Sequence, residues 1–400
     1  MRKYRLNRAK YSYLLSLLCF FGQVDLGRAQ SEEPEIIVGA ERAGAYLPLL
    51  YQKKVGVIAN HTSLVKEQHL VDYLLDNKVA VKRIFAPEHG FRGVASAGEQ
   101  VEDGKDPTTG LPVISLYGNE KKPRAGDLQD LDVLLFDIQD VGARFYTYIS
   151  TMSLAMEAAA ENGLEFIVLD RPNPNGSYVD GPVLEMEHKS FVGLHPVPVI
   201  HGMTVGEYAQ MVNGEGWLRA GIQVDLSVVK CQNYHHQRTY QLPVAPSPNL
   251  PNHHSVVLYP SLCLFEGTPV SVGRGTDKPF QVVGAPWFSD SAMSFVPRTR
   301  PGAKNPKHQG ERCYGFDLST FAEYYLDGLG ELYLFWLIEA YKMAPDKEHF
   351  FNDYFTLLAG TEELEEEIKK NWPVGEIRAS WEPELSRYKL IRQKYLLYEK

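Results

Sequence analysis

Val133-Leu134-Leu135-Phe136-Asp137-Ile138 is an apolar run broken only by Asp137, and the polar loop Gln139-Asp140-Val141-Gly142-Ala143-Arg144-Phe145-Tyr146 follows it directly. The next residues, Thr147 to Asn162, are rich in Ala, Met and Leu and read as a helix. A strand that is apolar on both faces and feeds a helix is half of a βαβ unit. Upstream, Val55-Gly56-Val57-Ile58-Ala59, Val79 to Ala86 and Val113 to Leu116 read as strands, with a helix from Gln68 to Asn77. Downstream, Phe166 to Leu169 and Ile222 to Val229 read as strands flanking a helix from Thr204 to Asn213. Buried strands alternating with helices predict an α/β domain: a Rossmann-like, doubly wound, mostly parallel sheet. No G-x-G-x-x-G follows the first strand, so no nucleotide is expected and the sequence asks for no cofactor.

Beyond residue 250 the alternation fades, and Pro and Gly become frequent through Ala245-Pro246-Ser247-Pro248 and Gly267 to Pro286. Helices are expected from Gly330 to Met343 and from Thr361 to about Asn371. The second has Glu362 and Glu363 in its first turn and Lys369 and Lys370 in its last, which suits the helix dipole. Two domains follow: residues 30–250 as the Rossmann-like catalytic domain, and residues 251–400 as a smaller auxiliary α+β domain completing the cleft. Three widely spaced cysteines, Cys231, Cys263 and Cys313, contain no C-x-x-C and are expected to be buried as small apolar residues.

Residues 1–29 read as a signal peptide. Arg2, Lys3, Arg5, Arg8 and Lys10 form a basic head, Tyr11 to Phe21 an apolar run, and Gly27-Arg28-Ala29 a small-x-small cleavage signal. The apolar run is shorter than the roughly 20 residues a membrane span needs. The expected mature protein is therefore periplasmic or secreted, with no stable membrane insertion after cleavage. The chain has 41 basic and 50 acidic residues. Removing the segment's six basic residues and Asp25 leaves 35 and 49, a net charge near −14. So acidic a surface argues against nucleic acid and anionic membrane as partners.

In an open parallel sheet, ligands bind outside the carboxyl ends of the strands. Four strand ends in succession release polar clusters: Asn60-His61-Thr62; Pro87-Glu88-His89-Gly90-Phe91-Arg92; Gln139 to Tyr146; and Asp170-Arg171-Pro172-Asn173. Glu88 lies between a stiffening Pro87 and a Gly90 that lets the chain turn, which suits a positioned general acid. His89 either orients Glu88, binds sugar hydroxyls or satisfies a carbonyl. Gln139, Asp140, Arg144 and Tyr146 combine amide, acid, guanidinium and phenol on one loop. Arg144 is suited to gripping a carboxylate in bidentate fashion. Glu207 is set aside, because Thr204-Val205-Gly206-Glu207 is a capping box. In the second half Glu266 and Arg274 could face Glu88 across the cleft. No H-E-x-x-H exists. His61, Glu88, His89 and Asp140 are the metal ligands that could converge, but no metal is expected.

The stretches Pro87-Glu88-His89-Gly90-Phe91-Arg92-Gly93, Phe136 to Tyr148, Asp170-Arg171-Pro172-Asn173-Pro174, Pro246-Ser247-Pro248-Asn249, Glu266-Gly267-Thr268 and Gly273-Arg274-Gly275-Thr276 resemble the exo-β-N-acetylmuramidase family of glycoside hydrolases. The resemblance implies a Rossmann-like catalytic domain plus an auxiliary domain, and an exo-acting release of N-acetylmuramic acid from the non-reducing end of peptidoglycan-derived fragments. It implies peptidoglycan fragments as the partner and Glu88 as catalytic. Glu266, Asp140 or the substrate's own acetamide are the choices for the second group. Asn60, His89, Arg92, Gln139, Arg144, Tyr146, Asp170, Arg171, Asn173, Asn249 and Arg274 are the expected substrate contacts. Lys304 to Glu311 reads as an irregular loop without a role. Two alternatives stand beside this reading, a metal-dependent cell-wall amidase or esterase and a non-catalytic peptidoglycan-binding protein.

Overall fold

A computed structural model describes residues 33–91, 103–288, 293–326 and 329–399; the expected signal peptide and Arg92 lie outside them. In chain order the strands of the first half are β1 (Lys54–Ala59), β2 (Leu64–Val65), β3 (Gln68–His69), β4 (Ala80–Ala86), β5 (Gly104–Lys105), β6 (Pro112–Ser115) and β7 (Val133–Asp137). They continue with β8 (Glu165–Leu169), β9 (Asp180–Val183), β10 (Pro198–Ile200) and β11 (Asp225–Val229). The second half adds β12 (Val282–Ala285), β13 (Met293–Phe295) and β14 (Cys313–Asp317).

Seven strands form the main sheet in the order β11-β8-β7-β1-β4-β6-β5, with every neighbour parallel except β5. The chain starts in the centre at β1, builds outward through β4 and β6, then crosses over to build β7, β8 and β11 on the other side. This is the doubly wound order, with its switch point between β1 and β7. Alternation along a single strand shows that both faces are covered. Val133 and Leu135 of β7 pack in one apolar cluster, whereas Leu134 and Phe136 pack in the other. Gly56 lies where a Cβ would come within 3.0 Å of Leu131, Leu134 and Phe85, so the crowding beneath β1 requires glycine there.

The helices Leu70–Asp76, Tyr148–Glu161 and Val205–Gly214 match the expected positions to within one or two residues. Thr204 and Glu207 form the anticipated capping box. Cys231, Cys263 and Cys313 are free and buried. In the second half β12, β14 and β13 make a separate antiparallel sheet, surrounded by helices that include His253–Leu262 and Val374–Gln393. The helix expected from Gly330 starts only at Phe335. Gly330 is at φ +61 and the amide of Leu332 donates to Asp180 at 2.6 Å, which holds this segment out of helical geometry. Glu35–Lys400 forms one compact unit, and its larger apolar cluster runs without interruption from Ile58 to Tyr388. The smaller sheet thus packs on the same core as the Rossmann-like half. Among the described residues no helix is long and apolar enough to cross a membrane.

Candidate active site

Glu88 leaves the end of β4 in a tight turn. The amide of Gly90 donates to the Pro87 carbonyl at 2.9 Å, with His89 at φ +68 and Gly90 at φ +75. A non-glycine residue in the left-handed region is strained, and such strain persists where the surroundings impose it. The turn holds Glu88 half-buried, where Oε2 accepts a hydrogen bond from Thr147 Oγ1 at 2.9 Å. Thr147 is the N-cap of helix Tyr148–Glu161, a position whose hydroxyl ordinarily accepts from its own helix. Here it makes no such bond and serves Glu88 instead. The carboxylate consequently sits at a helix N-terminus, where the dipole favours negative charge.

Glu266 enters from the second half, on the 3-10 turn Cys263–Gly267. Its Oε1 accepts from Arg274 Nε at 3.0 Å. Lys307 Nζ donates to the carbonyls of Phe265, Glu266 and Thr268 at 2.8, 3.0 and 2.6 Å, clamping the turn from below. Burial pushes the Glu266 carboxyl up, but the charges of Arg274 and Lys307 outweigh it and hold the group below the usual carboxylate range. Glu266 is therefore held as an anion.

Glu88 and Glu266 face one cavity of about 750 Å³. Tyr117, Phe145, Phe191, Tyr259 and Tyr354 supply aromatic surface, and Lys121, Arg274 and Lys304 supply positive charge. A narrower recess of about 60 Å³ continues past Glu88 to His89, Tyr146 and Asn249. Two carboxylates, one beside a hydroxyl donor and one held ionised, within aromatic walls, meet the requirements of glycosidic-bond cleavage.

Sequence comparison covers both halves of this site. Residues 55–254 match the family profile described as Exo-beta-N-acetylmuramidase NamZ, N-terminal, and residues 257–398 match its C-terminal counterpart. The chain belongs to the exo-β-N-acetylmuramidase NamZ family. It is 37% identical to the peptidoglycan beta-N-acetylmuramidase NamZ of Bacillus subtilis (strain 168), across 98% of this chain and all of that protein. Two solved structures of DUF1343 family proteins from Bacteroides fragilis NCTC 9343 share the NamZ-family fold. One is 46% identical with a TM-score of 0.85 over 92% of this chain and 99% of that one. The other is 32% identical with a TM-score of 0.79 over 91% and 99%.

Of the residues anticipated for the NamZ-family site, the structure brings Glu88, His89, Tyr146, Asn249, Glu266 and Arg274 to the cavity and its recess. Tyr146 commits its hydroxyl to the Pro246 carbonyl at 2.8 Å, and Asn249 its amide to Gly302 at 2.8 Å, so both shape the wall. The other described ones line neither the cavity nor the recess. Arg144 is placed away from the cleft: Nη1 donates to Pro182 and Val197, and Nη2 to Leu358 and Ala359, all backbone carbonyls. Asp140 is buried, accepts from Gly142 N at 2.7 Å and lies 3.4 Å from His201 Nε2. Gln139 bridges the carbonyls of Asp140 and Pro172 at 2.8 Å each. Asn60 accepts twice from Thr62. Asp170 accepts from Thr204 and Gly206 at 2.8 Å and from Tyr398 at 2.5 Å. Arg171 forks onto Asp137 at 2.5 and 2.9 Å. Asn173 donates to the Met203 carbonyl at 2.9 Å and packs against Gly142, where a Cβ would come within 2.3 Å of its Oδ1. Strand-end polarity at these positions serves to satisfy buried backbone where loops cross.

Among the described residues, three metal-capable side chains come within 4.8 Å of one another only at Glu185, Glu187 and His188, and not at His61, Glu88, His89 and Asp140. Thr147, Tyr117, Lys121, Phe191 and the 304–307 segment contribute to the site without having been anticipated. Thr147 read only as a helix start. A lone lysine in an irregular loop, such as Lys307, carries no local signal at all.

Proposed function

We propose that this protein is an exported exo-β-N-acetylmuramidase that releases N-acetylmuramic acid from the non-reducing end of peptidoglycan-derived fragments, in cell-wall turnover or salvage. The observation that carries the reading is the pairing of Glu88 and Glu266 on one aromatic-walled cavity. Glu88 protonates the leaving glycosidic oxygen, and the Glu266 anion stabilises the positive charge that develops at the sugar carbon or polarises the acetamide that assists there. The full-length similarity to the Bacillus subtilis enzyme supports the same chemistry. The basic head, apolar run and Gly27-Arg28-Ala29 of the N-terminus support export. Incubation with the 4-nitrophenyl β-glycoside of N-acetylmuramic acid tests the activity directly. Steady nitrophenol release is expected, together with shortening of muramic-acid-terminated fragments by one sugar. No release from either substrate overturns the proposal.

A further inference from the structure

N-acetylmuramic acid differs from N-acetylglucosamine by a lactyl ether bearing a carboxylate, and the net charge of this chain is −9. Such an anion is repelled at long range, so its recognition requires a local cation inside the cavity. Among the described residues three cations line it, and their surroundings separate them. Arg274 is spent on Glu266 at 3.0 Å and stacks over Phe280 at 4.9 Å. Lys304 is exposed, on the 302–306 loop. Lys121 is half-buried, with Nζ 4.7 Å from the centroid of the Phe191 ring, and among the described residues no carboxylate pairs with it. Resting on an aromatic face holds an ammonium in place while leaving its donors directed elsewhere. Phe191 is carried by a turn in which Ser190 and Gly193 exchange backbone hydrogen bonds at 2.9 and 3.0 Å. Among the described residues the Ser190 hydroxyl, buried beside the same cavity, has no hydrogen-bond partner. Tyr117 leans on the same ring at 6.3 Å and extends the apolar floor.

We infer that Lys121, seated on Phe191, is the residue that recognises the carboxylate of the sugar's lactyl group and so sets the preference for an acidic sugar at this site. The inference rests on the muramidase reading above. Lys121 supplies the charge, and the Phe191 and Tyr117 rings cover the lactyl methyl. A charge-assisted contact of this kind changes kcat/KM by roughly 10-fold or more.

The test compares two 4-nitrophenyl β-glycosides, that of N-acetylmuramic acid and that of its uncharged methyl ester, in wild type, Lys121→Met and Lys121→Arg. The ratio of kcat/KM for acid over ester is the readout, because it does not depend on how much of a variant folds. Wild type is expected to favour the acid by roughly 10-fold or more, Lys121→Met to bring the ratio close to one, and Lys121→Arg to retain most of it. An unchanged ratio in Lys121→Met, or equal rates on both glycosides in wild type, overturns the Lys121 assignment while leaving the muramidase reading intact. Absence of turnover of both glycosides by the wild type is the separate outcome that removes the underlying reading.

Discussion

Thr147 gives its hydroxyl to Glu88 across 2.9 Å, joining the turn after β4 to the N-cap of the helix that follows β7. The bond crosses the sheet's switch region and fixes the carboxylate relative to the cavity. Glu88→Gln keeps the shape and one acceptor but cannot supply a proton. The expected result is a fall in kcat of about 10²- to 10⁴-fold, with the melting temperature within a degree or so of wild type. Thr147→Val removes the bond while keeping the volume, and a loss of about 10-fold is expected, the worth of one hydrogen bond to a charged group. Glu88→Gln within a few-fold of wild type would show that Glu88 binds or braces and transfers no proton.

Glu266 provides a pH-dependent test. Arg274 and Lys307 hold its folded-state carboxyl below the ordinary range, against the upward push of burial. The anion therefore persists to lower pH than a free glutamate, and any stability or activity that needs it is lost only as pH falls through the lowered value. Removing either cation leaves burial less opposed, so the carboxyl rises. In Arg274→Met and in Lys307→Met the acidic limb of the kcat/KM profile is expected to move to higher pH. Lys307→Arg, which keeps the charge, should restore it towards wild type. An acidic limb that stays in place in both Met variants would mean that Glu266 does not govern it.

The architecture was legible because its signal is periodic. Val55 to Ala59, Val133 to Asp137 and Phe166 to Leu169 are buried on both faces, and a largely continuous apolar run is how such a strand must read. The C-terminal helix Val374–Gln393 was not legible, since Pro373, Gly375 and Pro383 punctuate it and its surface is charged. Its buried side, Ile377, Trp381, Leu385, Tyr388 and Arg392, nevertheless recurs every three or four residues. The site was legible in part for a different reason. Residues released at strand ends read as a polar group, but sequence does not distinguish a side chain aimed into a cavity from one that closes a loop beneath it. Glu88 and Asp140 both follow strands, and only the turn at His89 and Gly90 directs Glu88 to the cavity.

Arg144 is where that ambiguity has the largest consequence. Its placement in a conspicuous strand-end loop suggests a grip on the substrate carboxylate, yet it is 1% exposed and its guanidinium donates only to protein carbonyls. These carbonyls belong to β9, to the segment before β10 and to the end of helix Asp353–Ala359, so one side chain ties the Rossmann-like half to the second. Gly360 is moulded to it: at φ +80, a Cβ there would lie 2.6 Å from Arg144 Nη2. Arg144→Ala removes a donor from four carbonyls, of which Val197 keeps the Leu184 amide at 3.1 Å, and empties a large buried volume, so a loss on the order of 3 kcal/mol is expected in denaturant unfolding. Arg144→Lys should recover only part of it, because an ammonium does not reproduce the planar fork that reaches four acceptors. Gly360→Ala should destabilise from the other side of the same contact. In whatever fraction of Arg144→Ala folds, the preference for the acidic over the uncharged glycoside should match wild type. A stable Arg144→Ala protein that has lost that preference would return the arginine to the binding site and displace Lys121 from it.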